Sequence, residues 1–143
     1  MKLEAMREEH REEVTAMMRV FYASPAVSTN GSAEIFRADI DACLGDSPYL
    51  EGYVLTEDKR LLGYAMLAKS FSTEFGKPCI WIEDLYLKPE YREQGLGSEA
   101  LEAIRELHPE ALLRLEVERE NSRAVHVYRK CGYGELPYLE MLR

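Results

Sequence analysis

A short glycine-containing loop has the residue types expected of an anion-binding site. It follows an apolar segment that ends at Leu87 and precedes a helical pattern. Gly95 and Gly97 let backbone N–H groups approach a ligand closely, and the start of a helix favours negative charge. Arg92 adds a full positive charge. We therefore predict a diphosphate-binding loop, whose candidate residues are Arg92, Glu93, Gln94, Gly95, Leu96, Gly97 and Ser98.

Two common phosphate motifs do not fit this loop. The loop is not GxxxxGK[ST], so a Walker nucleotide site is unsupported. It is also not GxGxxG after the first strand of a doubly wound sheet, so a dinucleotide site is unsupported. The alternative interpretation, a tight strand-to-helix turn with no ligand, stays open on the glycines alone.

A carboxylate in the preceding strand is the first candidate for a general base. Strand alternation predicts that Glu83 shares a face with four other side chains, Cys79, Trp81, Leu85 and Leu87. An unpaired carboxylate there would be costly, so its pKa would rise towards the range useful for a base. The alternative is a structural glutamate paired with a basic side chain or backbone donors. Glu116 and Glu118 on the facing strand are fallback candidates.

Composition bounds the class of protein. The 143 residues fit a single domain, 1–143, with 46% hydrophobic and 31% charged residues. No apolar run approaches the ~18–20 residues needed to span a membrane. The net charge of −8 argues against nucleic acid as a partner. Three scattered cysteines indicate neither a disulfide framework nor a metal site, so a reducing, cytoplasmic location is expected.

Hydrophobic periodicity predicts an α/β (α+β) domain with a βαβ unit in its C-terminal half. Helices are expected near 10–23, 32–44, 97–107 and 122–131, the last with Asn121 as its N-cap. Strands are expected at 49–56, 60–70, 79–87 and 112–118, and short terminal strands near 133–135 and 138–142.

Two blocks together resemble the GNAT superfamily of acetyl-CoA-dependent N-acetyltransferases. The first is Arg92-x-x-Gly95-x-Gly97 after the strand, and the second runs from Asn121 to Tyr133. The resemblance implies a mixed, mostly antiparallel central sheet of about six or seven strands flanked by about four helices. It also implies acetyl-CoA as co-substrate and a homodimer as one possible assembly.

The resemblance further implies a role for each matching residue. The strand Leu85, Tyr86 and Leu87 would offer main-chain groups to the pantetheine arm, and a bulge near Asp84 and Leu85 would splay it from the strand ending at Val117. The Leu85 amide would polarise the thioester carbonyl. The loop Arg92–Ser98 would hold the pyrophosphate, with Asn121 near the pantetheine and Tyr128 beside the sulfur.

Acetyl transfer needs an acid and a base. An ammonium group cannot attack until a base removes its proton, and a donor should neutralise the departing thiolate. Glu83 and Tyr128 are the expected base and acid, although a water chain could replace a single base. A core tyrosine remains the alternative interpretation of Tyr128.

A narrower resemblance concerns the diamine and thialysine acetyltransferases. It rests on four stretches of the chain: Phe75-Gly76-Lys77, Ile80-Trp81-Ile82-Glu83-Asp84, Tyr91-Arg92 and Gly97-Ser98-Glu99. It implies that Glu83 and Asp84 contact the amine of a small cationic acceptor. A protein acetyltransferase and a non-catalytic acyl-CoA-binding module are the alternatives.

Overall fold

The structure, a computed structural model, describes residues 1–143 as one five-stranded sheet with four α-helices. The strands are β1 (Lys2–Ala5), β2 (Leu50–Glu57), β3 (Arg60–Ser72), β4 (Lys77–Leu87) and β5 (Leu112–Leu115). The helices are α1 (Arg11–Tyr22), α2 (Ala33–Leu44), α3 (Leu96–Leu107) and α4 (Ser122–Lys130). The strands lie in chain order across the sheet. Every pair is antiparallel except β4 with β5, which are parallel and joined by α3.

Each face of the sheet carries its own apolar core. On one face, α1 and α2 bury the side chains that recur at helical spacing, among them Val14, Met18 and Ile40, against Val54 and Tyr64. On the other face, α3 packs its apolar stripe against β2, β3 and β4, and α4 lies beside it. None of the helices is both long and apolar enough to cross a membrane.

The predicted fold class is confirmed, with differences at both ends of the chain. The sheet has five strands, and its first strand, β1, is only four residues long and has no clear alternation in the sequence. The expected strands near 133–135 and 138–142 are absent, and β5 ends at Leu115 rather than near residue 118. Pro137 lies between the two expected terminal strands, and its missing N–H cannot contribute to a ladder.

Candidate active site

A β-bulge in β4 determines where the candidate catalytic side chains point. In the pairing of β3 with β4, Met66 lies opposite Asp84 and Leu67 lies opposite Ile82, which leaves Glu83 as the extra residue. The expected bulge is therefore present, one residue earlier than Asp84. An extra residue reverses the alternation of side chains beyond it.

The reversal corrects the side-chain arrangement predicted for β4. Before the bulge, Ile80 and Ile82 face α3, and after it Leu85 and Leu87 do so. Glu83 therefore does not share a continuous face with Leu85 and Leu87. Its side chain is exposed to solvent.

The same bulge lies where β4 leaves β5. The parallel pairing covers Cys79 to Ile82 of β4 and stops at Leu115, the end of β5. Leu85, Tyr86 and Leu87 consequently have no neighbouring strand on this side. Main-chain groups at this edge can pair with an extended ligand in the manner of an added strand, except for the Leu87 carbonyl, which accepts from Arg92.

The glycine loop forms the turn from β4 into α3. A single 3-10 turn, Pro89–Tyr91, leads into it, and the Gln94 side-chain amide donates to the Glu90 carbonyl at 3.1 Å. Gly95 is the N-cap of α3 at φ 80°, a left-handed conformation that favours glycine. No side chain caps this helix end, so its first N–H groups remain available to an anion.

Arg92 is held in place by contacts with the end of β4, the strand that precedes the loop. Its Nε–H donates to the Leu87 carbonyl at 2.8 Å, and its guanidinium carbon lies 5.4 Å from the centre of the Tyr86 ring. Glu93 pairs with Arg123 at the start of α4, although both side chains are exposed and the pair contributes little stability. The loop and the α4 N-terminus are therefore neighbours.

The space in front of α3 suits a diphosphate. A Cβ placed at Gly95 would meet no atom within 4 Å, and at Gly97 only the Leu87 Cδ1 lies within that range, at 3.9 Å. Leu96 is buried and anchors the turn in the core, while Ser98 is half-buried. The loop is thus anchored in the core by Leu96, while the space beside Gly95 and Gly97 stays open for an anion to enter.

Helix α4 contributes the two remaining candidates. The Asn121 Oδ1 accepts the Ala124 N–H at 3.3 Å, so the predicted N-cap is confirmed. Tyr128 lies further along the same helix and is half-buried against the apolar core that α3 forms with the sheet. Its ring centre lies 6.0 Å from that of Tyr133. Burial raises the pKa of the Tyr128 hydroxyl, which therefore carries its proton at neutral pH.

Five carboxylates gather around the bulge and the end of β5, namely Asp39, Glu83, Asp84, Glu116 and Glu140. None of them forms an ion pair with a basic side chain. This part of the molecule is therefore negatively charged without a counter-ion from the protein.

Burial, together with neighbouring negative charge, raises the pKa values of Asp39, Glu116 and Glu83. Burial, followed by Asp84 and Glu83, raises the pKa of Asp39 to about 6. Burial, followed by the neighbouring Glu140 and then Glu83, raises the pKa of Glu116 to about 7. Burial also raises the pKa of Glu83, with further contributions from Asp84 and Glu140.

A cavity of about 730 Å³ joins Tyr128 to part of this acidic group. It lies between β5, α4 and the C-terminal segment, and its lining includes Trp81, Tyr128, Glu116 and Glu140. Glu118, a fallback base in the sequence analysis, does not line it. Sequence reasoning missed Asp39 and Glu140, because neither lies in a motif and each reaches the group only through the fold.

Comparison with known proteins agrees with this architecture. The model of the Acetyltransferase (GNAT) family matches residues 5–133. The thialysine N-epsilon-acetyltransferase of Sus scrofa is 31% identical over 120 residues, which cover 76% of this chain and 68% of that protein. The thialysine N-epsilon-acetyltransferase of Bos taurus is 37% identical over 83 residues, or 56% of this chain. The chain spans about half the length of that bovine relative, 48%.

Solved structures share the fold at lower identity. A possible acetyltransferase from Clostridium difficile 630 superposes with a TM-score of 0.85 at 18% identity, covering 99% of this chain and 95% of that one. AAC(6')-Iy, solved in complex with the bisubstrate analogue CoA-S-monomethyl-acetylneamine, superposes with a TM-score of 0.79 at 15% identity, covering 99% and 96%. The chain belongs to the GNAT family of acetyltransferases, which use acetyl-CoA, and this confirms the sequence prediction of an acetyl-CoA-dependent N-acetyltransferase domain.

Proposed function

We propose that the protein transfers an acetyl group from acetyl-CoA to a primary amine of a small cationic molecule. The transfer occurs by direct attack in a ternary complex, with no acetylated enzyme. The observation that carries the choice of acceptor is the group of five carboxylates without a basic partner. Uncompensated negative charge beside the bulge favours a positively charged acceptor.

The relatives support an amine acceptor. Those from pig and cattle are named for acetylation of the ε nitrogen of thialysine. Their sequences align with this one over much of the chain, and the Glu83-Asp84 pair stands directly at the bulge. An acceptor with a second positive charge would interact with Asp39 or Glu116 in addition to Glu83.

Deprotonation of the amine is assigned to Glu83. Its exposed carboxylate lies at the open side of the bulge, and its raised pKa brings proton affinity closer to that of a base working near neutral pH. One proton passes from the ammonium group to Glu83, and the freed nitrogen lone pair then forms the new C–N bond.

The main chain of β4 stabilises the charge that develops during attack. The Leu85 amide follows the bulge on the unpaired edge of the strand, where a donor can approach the thioester carbonyl oxygen. Tyr128 donates its hydroxyl proton to the sulfur as the C–S bond breaks. The attacking nitrogen releases its second proton to solvent, which leaves the N-acetylated amine and the free thiol of CoA. Glu83 then loses its proton and Tyr128 regains one through solvent, so both groups return to their starting states.

Binding of acetyl-CoA is assigned to three groups of residues. Leu85, Tyr86 and Leu87 pair with the pantetheine arm, and the loop Arg92–Ser98 holds the diphosphate at the uncapped N-terminus of α3. Asn121 lies at the start of α4 and is assigned to the pantetheine through its side-chain amide, since its Oδ1 already serves as the cap.

Thiol release from acetyl-CoA across a panel of amines tests the proposal. A diamine such as 1,5-diaminopentane, paired with pentylamine as a matched control, isolates the contribution of the second positive charge. We expect release with cationic small molecules and a lower KM for the diamine. Release only with peptides would indicate a protein acetyltransferase, and tight CoA binding without any release would indicate a non-catalytic module.

Location and assembly complete the proposal. Cys43, Cys79 and Cys131 are free thiols, which suits a reducing cytoplasm. We also propose a homodimer, because several large apolar side chains after Gly134 are exposed, among them Leu139 at 86%. Light scattering coupled to gel filtration distinguishes a dimer from a monomer.

A further inference from the structure

Asp84 differs sharply from its neighbour Glu83 in its surroundings. Only 3% of Asp84 is exposed. The Tyr22 hydroxyl donates to its Oδ1 at 2.8 Å, and the Tyr64 hydroxyl donates to its Oδ2 at 2.6 Å. Each carboxylate oxygen is therefore satisfied by a neutral donor within the protein, and no basic side chain neutralises the group.

Three separate elements meet at this carboxylate. Tyr22 is the last residue of α1, Tyr64 lies in the middle of β3, and Asp84 follows the bulge residue of β4. Aromatic packing reinforces the junction, since the Phe21 ring lies 5.6 Å from that of Tyr86, two residues beyond Asp84. The junction fixes the end of α1 against the bulge.

Burial of Asp84 has a consequence for Glu83. A bulged residue has no partner on the neighbouring strand, so its direction depends on the residues next to it. Because Asp84 is held on the α1 side of the sheet, the Glu83 side chain is left to point into solvent.

We propose that Asp84 is a positioning residue, held by Tyr22 and Tyr64, which fixes the direction of Glu83 and places a second carboxylate beside it without touching the acceptor amine. The inference rests on the proposed function, in which Glu83 is the base. It assigns different roles to two adjacent carboxylates, one exposed to the acceptor and one buried beneath it.

The electrostatic part of this role depends on every group that faces the pair. Burial raises the pKa of Asp84, while the hydrogen bonds from Tyr64 of β3 and Tyr22 of α1 oppose that rise by stabilising the charged form. From α2, Asp39 lies within electrostatic range of both carboxylates. The Cys43 thiol of α2 also faces the pair, and burial keeps it protonated. The carboxylates of Glu116 and Glu140 lie on the solvent side of Glu83 and repel its negative charge.

A direct test follows the titration of the Glu83 carboxyl carbon by NMR in the free protein. In Asp84→Asn, removal of the neighbouring negative charge should move the Glu83 midpoint to lower pH. In Tyr22→Phe, loss of a donor should move the Asp84 midpoint to higher pH. Tyr53→Phe is the matched control, since its hydroxyl donates at 3.0 Å to Glu51 of the same strand, and it should leave both midpoints unchanged.

Kinetics provide a second readout. Loss of one hydrogen bond to the Asp84 carboxylate in Tyr22→Phe should lower kcat/KM for the amine about tenfold, with the Kd for acetyl-CoA unchanged. The acid limb of the kcat/KM profile should shift to lower pH in Asp84→Asn. A residue that only supports folding would lower the melting temperature without moving either the limb or the midpoint.

The outcomes separate this inference from the proposed function. An unchanged Glu83 midpoint in folded Asp84→Asn, or an unchanged Asp84 midpoint in folded Tyr22→Phe, overturns the positioning role, whatever the wild-type activity is. Shifted midpoints in a protein that releases no thiol with any amine support the coupling of the two carboxylates but contradict the proposed reaction.

Discussion

Substitution of Gly97 by valine should weaken CoA binding without destabilising the free protein. Gly97 occupies the first turn of α3 and does not have a positive φ. A Cβ there would lie 3.9 Å from the Leu87 Cδ1, an ordinary contact. The added Cβ therefore fits the unliganded structure, and we expect the valine branches to occupy space that the diphosphate would enter.

The size of the effect follows from the contacts that would be lost. A backbone N–H that donates to a charged phosphate oxygen contributes ~1.5–3 kcal/mol, and the valine would prevent that approach. The Kd for CoA should consequently rise about tenfold to a hundredfold. Replacement of Gly95 is a less specific test, because its φ of 80° would strain any other residue as well.

Calorimetric titration with CoA, paired with thermal unfolding, is the appropriate assay. Ala16→Val provides the control, since it adds the same branched side chain at an exposed position of α1, away from the loop. Pantetheine lacks the diphosphate, so its affinity should be unchanged in Gly97→Val. If Gly97→Val binds CoA as tightly as the wild type, the loop does not hold the diphosphate and the assignment of Arg92–Ser98 fails.

Two further predictions concern the acid and the acidic group. Tyr128→Phe should lower kcat about 10²–10³-fold, because the departing thiolate loses its proton donor, while the Kd for CoA measured by titration stays the same; equal turnover would remove Tyr128 from the mechanism. Asp39→Asn should become progressively more stable than the wild type as pH rises from about 4 to about 6. The raised pKa of Asp39 means that the folded state holds this proton more tightly than the unfolded state, so its contribution to stability is present at low pH and is lost as the carboxyl ionises. A constant difference in melting temperature across that range would show that Asp39 is not perturbed.

Much of the fold was predictable because local signals agreed with the final structure. The turn at Gly95, the cap at Asn121 and the apolar stripe of α3 depend on residues within a few positions of one another. The GNAT motifs then placed these elements in one domain. The strands expected after Gly132 are the main local error, since their alternating apolar residues are interrupted by Pro137 and remain exposed.

The site was less predictable because its geometry depends on one extra residue and on distant partners. Strict alternation along β4 placed Glu83 on the same face as Leu85 and Leu87, but the bulge interrupts that alternation at Glu83. No pattern in the sequence marks which residue of β4 is the extra one. Tyr22 lies 62 residues from Asp84 and Tyr64 lies 20 residues from it, so neither contact has a local signature. The loop was predicted from its glycines and Arg92, and residues 85–87 were assigned by resemblance, whereas the burial of Asp84 emerged only from the structure.

Transfer of a labelled acetyl group distinguishes direct acetyl transfer to the amine from transfer through an acetylated protein. The protein is incubated with acetyl-CoA carrying ¹³C in the acetyl group and with the amine that gives the fastest thiol release, and both product and protein are analysed by mass spectrometry. Direct transfer predicts one labelled acetyl group on the nitrogen of the amine for each thiol released, and an unlabelled protein. Label retained on the protein, or thiol release without an acetylated amine, would contradict direct transfer from acetyl-CoA to the amine.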